Sequence, residues 1–184
     1  HGVKHLVYAS SSSVYGDDST PPYAVTERAD RPVSLYAATK RSNELMAYAY
    51  AHLYGVPTTG LRFFTVYGPY GRPDMAYFKF FKSILDGKTI DVYNHGDMER
   101  DFTFVDDVAD CVLRILPAPP KPDERGDRYA LYNIGNNHPE RLERFIEVLE
   151  DAAGRRAVKR YLPMQAGDVH MTAADIAETA RDFG

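Results

Sequence analysis

An apolar run, a long helical stretch and a second apolar run, in that order, constrain this chain more than any other feature. His5-Leu6-Val7-Tyr8-Ala9 leads into four serines, Ser10 to Ser13, and then Val14-Tyr15-Gly16, the pattern of a buried strand ending in a loop. A polar, proline-containing stretch runs from Asp17 to Pro32. Ser34 then stands where an N-cap belongs, ahead of a helix predicted from Leu35 to Tyr54 and closed by Gly55. Thr58 to Val66 alternates and ends in Tyr67-Gly68-Pro69, which predicts a second strand. A helix of that length between two strands implies a parallel βαβ crossover, so the chain falls in the α/β class.

Beyond Tyr67 the texture changes. Gly68-Pro69-Tyr70-Gly71-Arg72-Pro73 predicts a loop, Met75 to Leu85 a short amphipathic helix stopped by Gly87, and Ile90 to Tyr93 a strand. We therefore divide the chain into residues 1–67 and a second lobe, 68–184, with 101–134 returning to the first part. Phe102 to Val105 leads into a helix as far as Leu116, whose N-terminus Asp106 or Asp107 would cap. Pro117 to Pro122 predicts an exposed proline-rich connection. Tyr129 to Ile134 reads as a strand, Pro139 to Ala153 as a helix ended by Gly154, Lys159 to Leu162 as a short strand, and Thr172 to Phe183 as a last helix.

Composition narrows the function classes. The 184 residues are 44% hydrophobic and 26% charged, ordinary for a globular chain able to bury a core. No apolar run approaches the roughly 18 residues that span a membrane, and the opening residues lack the layout of a signal peptide, which makes the cytoplasm the expected location. With one cysteine, Cys111, no internal disulfide can form, and its apolar helical surroundings suit core packing. A net charge of −4 with no long basic tract argues against nucleic-acid binding, so an anionic ligand must be met by a few placed arginines. His95, His138 and His170 lack paired spacing, and no metal site is expected.

Tyr36-Ala37-Ala38-Thr39-Lys40 sets a phenol and an ammonium one helical turn apart on the same face. A tyrosine with a pKa of about 10 is a poor base at neutral pH, but a nearby cation favours the phenolate; a shift of about three units corresponds to roughly 4 kcal/mol. Alone, this pair would be an ordinary solvated helix face. The serines upstream, at the end of a strand, add the hydroxyl that would complete a Ser-Tyr-Lys relay.

Tyr8-Ala9-Ser10-Ser11-Ser12-Ser13-Val14-Tyr15-Gly16, then Tyr36 and Lys40, then Leu61-Arg62-Phe63-Phe64-Thr65-Val66-Tyr67-Gly68, then Arg100-Asp101-Phe102 and Asp106-Asp107-Val108, follow one another in a distinctive order. Over nearly the whole chain this set resembles the extended short-chain dehydrogenases that act on nucleotide sugars, the NAD-dependent epimerases and dehydratases. The resemblance implies the C-terminal part of a Rossmann-like doubly wound parallel sheet, here residues 1–67, plus a smaller mixed α/β lobe that binds the nucleotide sugar. It implies NAD as cofactor and a UDP-sugar as substrate. Tyr36 would be the base that takes a proton from a sugar hydroxyl, Lys40 the partner that lowers its pKa and bonds the nicotinamide ribose, and Ser11 the relay serine. Ser12 and Ser13 would line the hexose pocket, Phe64 would pack near the nicotinamide, and Thr65 would contact substrate where relatives often carry Asn. Arg100 matches the arginine that pairs with the substrate diphosphate, Tyr93 the aromatic residue against the uracil, and Asp168 the carboxylate on the uridine ribose. Gln165 departs from the arginine that many relatives have there, which leaves one fewer cation for the diphosphate.

Dehydratases and decarboxylases of this family usually carry an acidic residue just before Val-Tyr-Gly; here that position is Ser13. The difference favours a 4-epimerase, in which oxidation and re-reduction at C4 need only the relay and the cofactor. Gly68-Pro69-Tyr70-Gly71-Arg72-Pro73-Asp74-Met75-Ala76 resembles the UDP-glucuronate 4-epimerases in particular. A uronic acid oxidised at C4 is a β-keto acid and loses CO₂ once its C–COO bond aligns with the carbonyl π system. Arg72, gripping the carboxylate bidentately, would prevent that alignment and select uronate over neutral hexose. The alternatives are a UDP-uronate decarboxylase or a nucleotide-sugar dehydratase and, from another class, a non-catalytic NAD-sensing module. Relatives commonly dimerise through two helices per subunit, one of which corresponds to the helix bearing Tyr36, so a homodimer is a further expectation. A dinucleotide fold also needs a Gly-rich turn beside the pyrophosphate, and no such turn follows any strand here; the chain also begins just before a core strand and stops directly after a helix at Gly184, so we expect it to be incomplete at both ends and inactive alone.

Overall fold

The computed structural model describes residues 2–17 and 19–184. Strand β1 (Leu6–Ser11), helix α1 (Leu35–Tyr54) and strand β2 (Thr58–Phe63) form the expected parallel βαβ crossover, with β1 and β2 paired from Leu6↔Thr58 to Ser11↔Phe63. Strand β6 (Tyr129–Ile134) lies parallel on the other side of β2, so the sheet order is β1-β2-β6. As the central strand, β2 is buried over Thr58–Arg62. At Gly60 the side chains of Tyr8 and Leu131 occupy the space a Cβ would need, which explains a glycine in mid-strand.

Helix α1 begins and ends as its sequence requires. The Ser34 hydroxyl accepts from the Ala37 N–H at 3.1 Å, and Gly55 takes the left-handed conformation (φ 63°) that most side chains resist. Its buried residues are Ala37, Glu44 and Ala51, seven apart and therefore on one stripe. The small alanines let the helix approach the sheet closely, and the glutamate between them is the exception that the site explains. Leu35, Leu45, Met46, Tyr50, Leu53 and Tyr54 stay exposed on the remaining surface.

The predicted strand Thr58–Val66 is two strands serving different sheets. The Phe64 N–H donates to the Ile134 carbonyl at 3.0 Å, and β3 (Thr65–Tyr67) then pairs in parallel with β5 (Glu99–Phe104). On its other side β5 pairs antiparallel with β7 (Pro139–Arg141), so these three residues form a strand where a helix start was expected. Helix α4 (Leu142–Ala153) follows and ends at Gly154 (φ 62°). Helix α2 (Ala76–Asp86) and α4 cover the parallel pair β4 (Thr89–Val92) and β8 (Val158–Tyr161), around a core of Ile90, Val92 and Ile146 joined by Phe80, Leu142 and Phe145. Tyr93 belongs to a short turn, Tyr93–Gly96, rather than to the strand before it, because Asn94 and His95 take positive φ (48° and 51°).

Helix α3 (Val105–Ile115) packs on the first sheet through Ile115, Val108, Val112 and Cys111 against Leu61 and Ile134. Neither aspartate caps it. Phe104 holds the N-cap position, and Asp106 and Asp107 lie in the first turn, where they favour the helix through its dipole. The last predicted helix is also shorter: α5 spans Ala177–Phe183 only. Residues 172–175 are extended because their backbone hydrogen bonds go across the chain. The Tyr23 N–H donates to Ala173 O (2.8 Å), the Asp175 N–H to Tyr23 O (3.0 Å) and the Thr172 N–H to Glu99 O (3.2 Å). No helix among the described residues is long and apolar enough to cross a membrane.

Candidate functional site

A cavity of about 620 Å³ opens beyond the carboxyl ends of β1 and β2, the place where parallel α/β sheets hold ligands. Ser11, Ser12, Ser13, Tyr36, Lys40, Phe64, Thr65 and Arg72 all line it. They arrive from four separate stretches of chain. Ser11 ends β1 and caps the 3-10 turn Ser12–Tyr15: its Oγ accepts from the Ser13 N–H and lies 3.2 Å from the Ser13 hydroxyl. Tyr36, 55% exposed, and Lys40 come from the first turns of α1. Lys40 Nζ donates to the Ala9 carbonyl at 3.1 Å and lies 5.8 Å from the Tyr36 ring centroid, within cation–π range. Phe64 is 5% exposed and packs with Tyr15 and Tyr23, so its ring is both core and cavity wall.

Arg72 reaches the cavity from the loop between β3 and α2. Its partners are weak: Asp74 at 3.5 Å, on a side chain 74% exposed, and the Met75 sulfur at 3.4 Å. A carboxylate entering the cavity would therefore displace little. The same loop contributes Tyr70 and Met75, and the first turn of α2 contributes Tyr77, none of which had been given a role from sequence. Gly71 was the available signal, since the Tyr77 hydroxyl fills the space that a Cβ there would take.

A smaller cavity of about 160 Å³ shares Ser12, Ser13 and Thr65 with the first and extends to Arg100 and Asp168. The two are joined to each other. Arg100 donates to Asp168 Oδ1 at 2.6 Å, to Glu99 O at 2.8 Å and to His170 O at 3.1 Å. Behind them, Asp101 is fully buried and its carboxylate accepts three backbone N–H groups: Asn136 at 2.9 Å, Asn137 at 3.0 Å and Ala174 at 2.9 Å. That carboxylate ties β5, which carries Arg100, to the two segments that flank it. Tyr93, in the Tyr93–Gly96 turn, lines neither cavity.

Below the serines lies a buried charge cluster. Arg62, 1% exposed, grips the Glu44 carboxylate with two bonds of 2.8 Å, and Glu44 also receives the Ser10 hydroxyl (2.6 Å) and Arg41 (2.8 Å). Burial pushes the Glu44 carboxyl upward, but the hydrogen bonds and charge of Arg62, helped by Ser10 and Arg41, outweigh it and hold the pKa below the usual value. Burial likewise pushes the Tyr15 hydroxyl up, against the opposing pull of Arg62, so this ring stays a neutral donor. It gives its hydrogen to Asn133 Oδ1 at 2.6 Å.

The larger cavity's donor set suits the nicotinamide riboside end of a dinucleotide: an ammonium for ribose hydroxyls, a phenol beside it and an aromatic wall at Phe64. A parallel α/β sheet with hydroxyl, phenol and ammonium groups at its carboxyl edge defines a short-chain dehydrogenase type of chain. Residues 1–135 match the NAD dependent epimerase/dehydratase family, and the chain belongs to it. It is 52% identical over 192 residues to Protein CapI of Staphylococcus aureus, covering 98% of this chain and 58% of that protein. To a probable UDP-glucuronate 4-epimerase of Rhizobium meliloti it is 48% identical over 194 residues, covering 98% and 57%. Among solved structures, UDP-glucuronic acid 4-epimerase from Bacillus cereus in complex with UDP-glucuronic acid and NAD superposes with a TM-score of 0.85 at 31% identity, over 97% of this chain and 55% of that one. The chain thus spans a little over half the length of these relatives.

Proposed function

We propose that this chain forms the catalytic and substrate-facing part of an NAD-dependent 4-epimerase that interconverts UDP-glucuronate and UDP-galacturonate. One observation carries the proposal: a single cavity is lined by Ser11, Tyr36, Lys40 and Arg72 together. In this reading the Tyr36 oxygen takes the proton of the C4 hydroxyl and later returns it. Lys40 stabilises the phenolate by its charge and donates to the nicotinamide ribose. Ser11 holds the C4 oxygen beside Tyr36. NAD, when bound, supplies reversible oxidation at C4. Between the two half-reactions the keto sugar turns over within the cavity, and Ser12, Ser13 and Thr65 provide replaceable polar contacts for either face. Ser13 offers a hydroxyl where further elimination or decarboxylation would call for an acid or base.

Arg72 supplies the selectivity for a uronate. A bidentate guanidinium holds the carboxylate plane away from alignment with the C4 carbonyl, and so protects the keto acid from losing CO₂. Arg100 and Asp168 serve the diphosphate and the uridine ribose in the smaller cavity. Two similarities support the substrate: that to the probable UDP-glucuronate 4-epimerase of Rhizobium meliloti, and that to the Bacillus cereus enzyme in complex with UDP-glucuronic acid and NAD. We also assign the exposed apolar side of α1, with Met46, Tyr50 and Leu53, to a homodimer contact, which sedimentation of the complete protein would check.

The test is product analysis. This chain, completed with the part of the Rhizobium relative that it lacks, is supplied with NAD and UDP-glucuronate. A product of unchanged mass that co-elutes with UDP-galacturonate is the expected result, abolished by Tyr36→Phe. A product lighter by CO₂ or water, or full turnover in the Tyr36→Phe variant, overturns the proposal.

A further inference from the structure

Tyr36, Lys40 and Glu44 recur at four-residue steps and share one stripe of α1. Exposure falls along the stripe, from 55% at Tyr36 through a half-buried Lys40 to 1% at Glu44. Its lower end meets a polar row that crosses the whole first sheet. Ser10 of β1 is the register partner of Arg62 on β2, and Arg62 is the partner of Asn133 on β6. The next row is Ser11, Phe63 and Ile134, and the first two of these line the larger cavity. Glu44 joins helix to sheet by bonds to Ser10 and Arg62, and the Arg62 guanidinium lies 4.7 Å over the Tyr15 ring.

Such a cluster is a poor device for stability alone. Taking charges out of water is costly, and well-packed apolar side chains of similar volume often hold a fold as well or better. What apolar contacts lack is direction. A two-pronged guanidinium–carboxylate pair fixes a plane and two distances, and the Ser10 bond adds a third constraint from the neighbouring strand. Rotation of α1 about its axis, or sliding along β1 and β2, would break these bonds. Lys40 sits one turn before this anchor, bonded to Ala9 O, and Ser11 sits one residue after Ser10.

We propose that Glu44 is a positioning residue: it locks α1 to β1 and β2 so that Tyr36 and Lys40 face Ser11 in one fixed geometry. This rests on the relay reading given above, and it makes a distinct prediction. In the completed enzyme, the triple variant Ser10→Ala, Glu44→Met, Arg62→Met replaces the cluster with apolar volume. It is expected to melt no lower than the parent, yet to lose kcat by roughly 10- to 100-fold with KM for UDP-glucuronate little changed, as a small misplacement of reacting groups does. A folded triple variant with parental kcat overturns the proposal. Should the triple variant fail to fold, Ser10→Ala decides, because it leaves the ion pair intact and removes one constraint. A fall in kcat of about threefold or more at constant KM supports the positioning role, and an unchanged kcat overturns it. Tyr36→Phe, assayed alongside, keeps the questions separate: retained turnover there sinks the relay reading, whatever the Glu44 variants do.

Discussion

Changing Asp101 to Asn tests the buried architecture behind Arg100 with a substitution of almost no volume. The Asp101 carboxylate is fully buried; its Oδ1 accepts from the Asn136 N–H, and its Oδ2 from both Asn137 and Ala174. An amide side chain has one oxygen. Oriented to keep the two bonds at Oδ2, it sets its NH₂ against the Asn136 N–H, so one charge-assisted bond is lost and two donors face each other. A bond to a charged group contributes about 1.5–3 kcal/mol, and the Asn136 N–H, only part-buried, can turn to water once the bond is lost, so we expect Asp101→Asn to destabilise by roughly 1.5–3 kcal/mol. In a chain of this size each kcal/mol lowers the melting temperature by about 2–4 °C, which places the loss at about 3–12 °C. Asp101→Ala strands all three N–H groups and should melt lower still. Thermal melts followed by circular dichroism at neutral pH measure both. If Asp101→Asn melts within about 1 °C of the parent, the carboxylate does not hold these segments together and the reasoning is wrong.

Other substitutions separate other parts of the structure. In the completed enzyme, Arg72→Ala should raise KM for UDP-glucuronate by about tenfold or more, given the worth of a bidentate carboxylate contact, and should release a decarboxylated product visible by mass spectrometry. Ser34→Ala removes the α1 N-cap bond and should cost about 1 kcal/mol in a denaturant titration; no change in the midpoint would mean that the helix start is held by packing alone. The depressed Glu44 pKa has a definite sign: its stabilisation is fully present above the unfolded value of 4.5 and is lost as pH falls through the folded value. The urea midpoint of the parent should therefore fall more steeply below that pH than the midpoint of Glu44→Gln, and parallel curves would contradict the assignment.

Local signals made much of the fold legible in advance. The Ser34 cap, the Gly55 stop and the flanking runs each act within a few residues, and together they define the βαβ unit without reference to the rest of the chain. Three stretches were misread where distant partners decide the backbone. Residues 172–175 carry helical spacing but spend their hydrogen bonds on Tyr23, Glu99 and Asp101, far away in sequence. Pro139–Arg141 is drawn into pairing with β5, and the apparent strand through Phe64 divides because β3 finds a different neighbour from β2. Of the residues that the resemblance pointed to, Ser11, Tyr36, Lys40 and Arg72 line one cavity in the structure, while Tyr93 lines neither. Arg62 was read as part of a strand and of the resemblance, and Glu44 only as one residue of the helix, neither as a member of a charge pair. A charged residue in a central strand, and a carboxylate two turns along the stripe from Tyr36, were the available signs that those positions needed each other.

The contact between Arg100 and Asp168 means that a ligand of Arg100 has a competitor already in place. Any anion that comes to Arg100 meets a guanidinium already neutralised by a carboxylate at 2.6 Å, so its gain is the difference between two attractions rather than the whole of one. A singly charged newcomer replaces like with like and gains little. A doubly charged one tips the exchange, and the displaced Asp168 side chain becomes available to accept from a neighbouring hydroxyl. What binds at Arg100 is thus weighed against a carboxylate rather than against water alone.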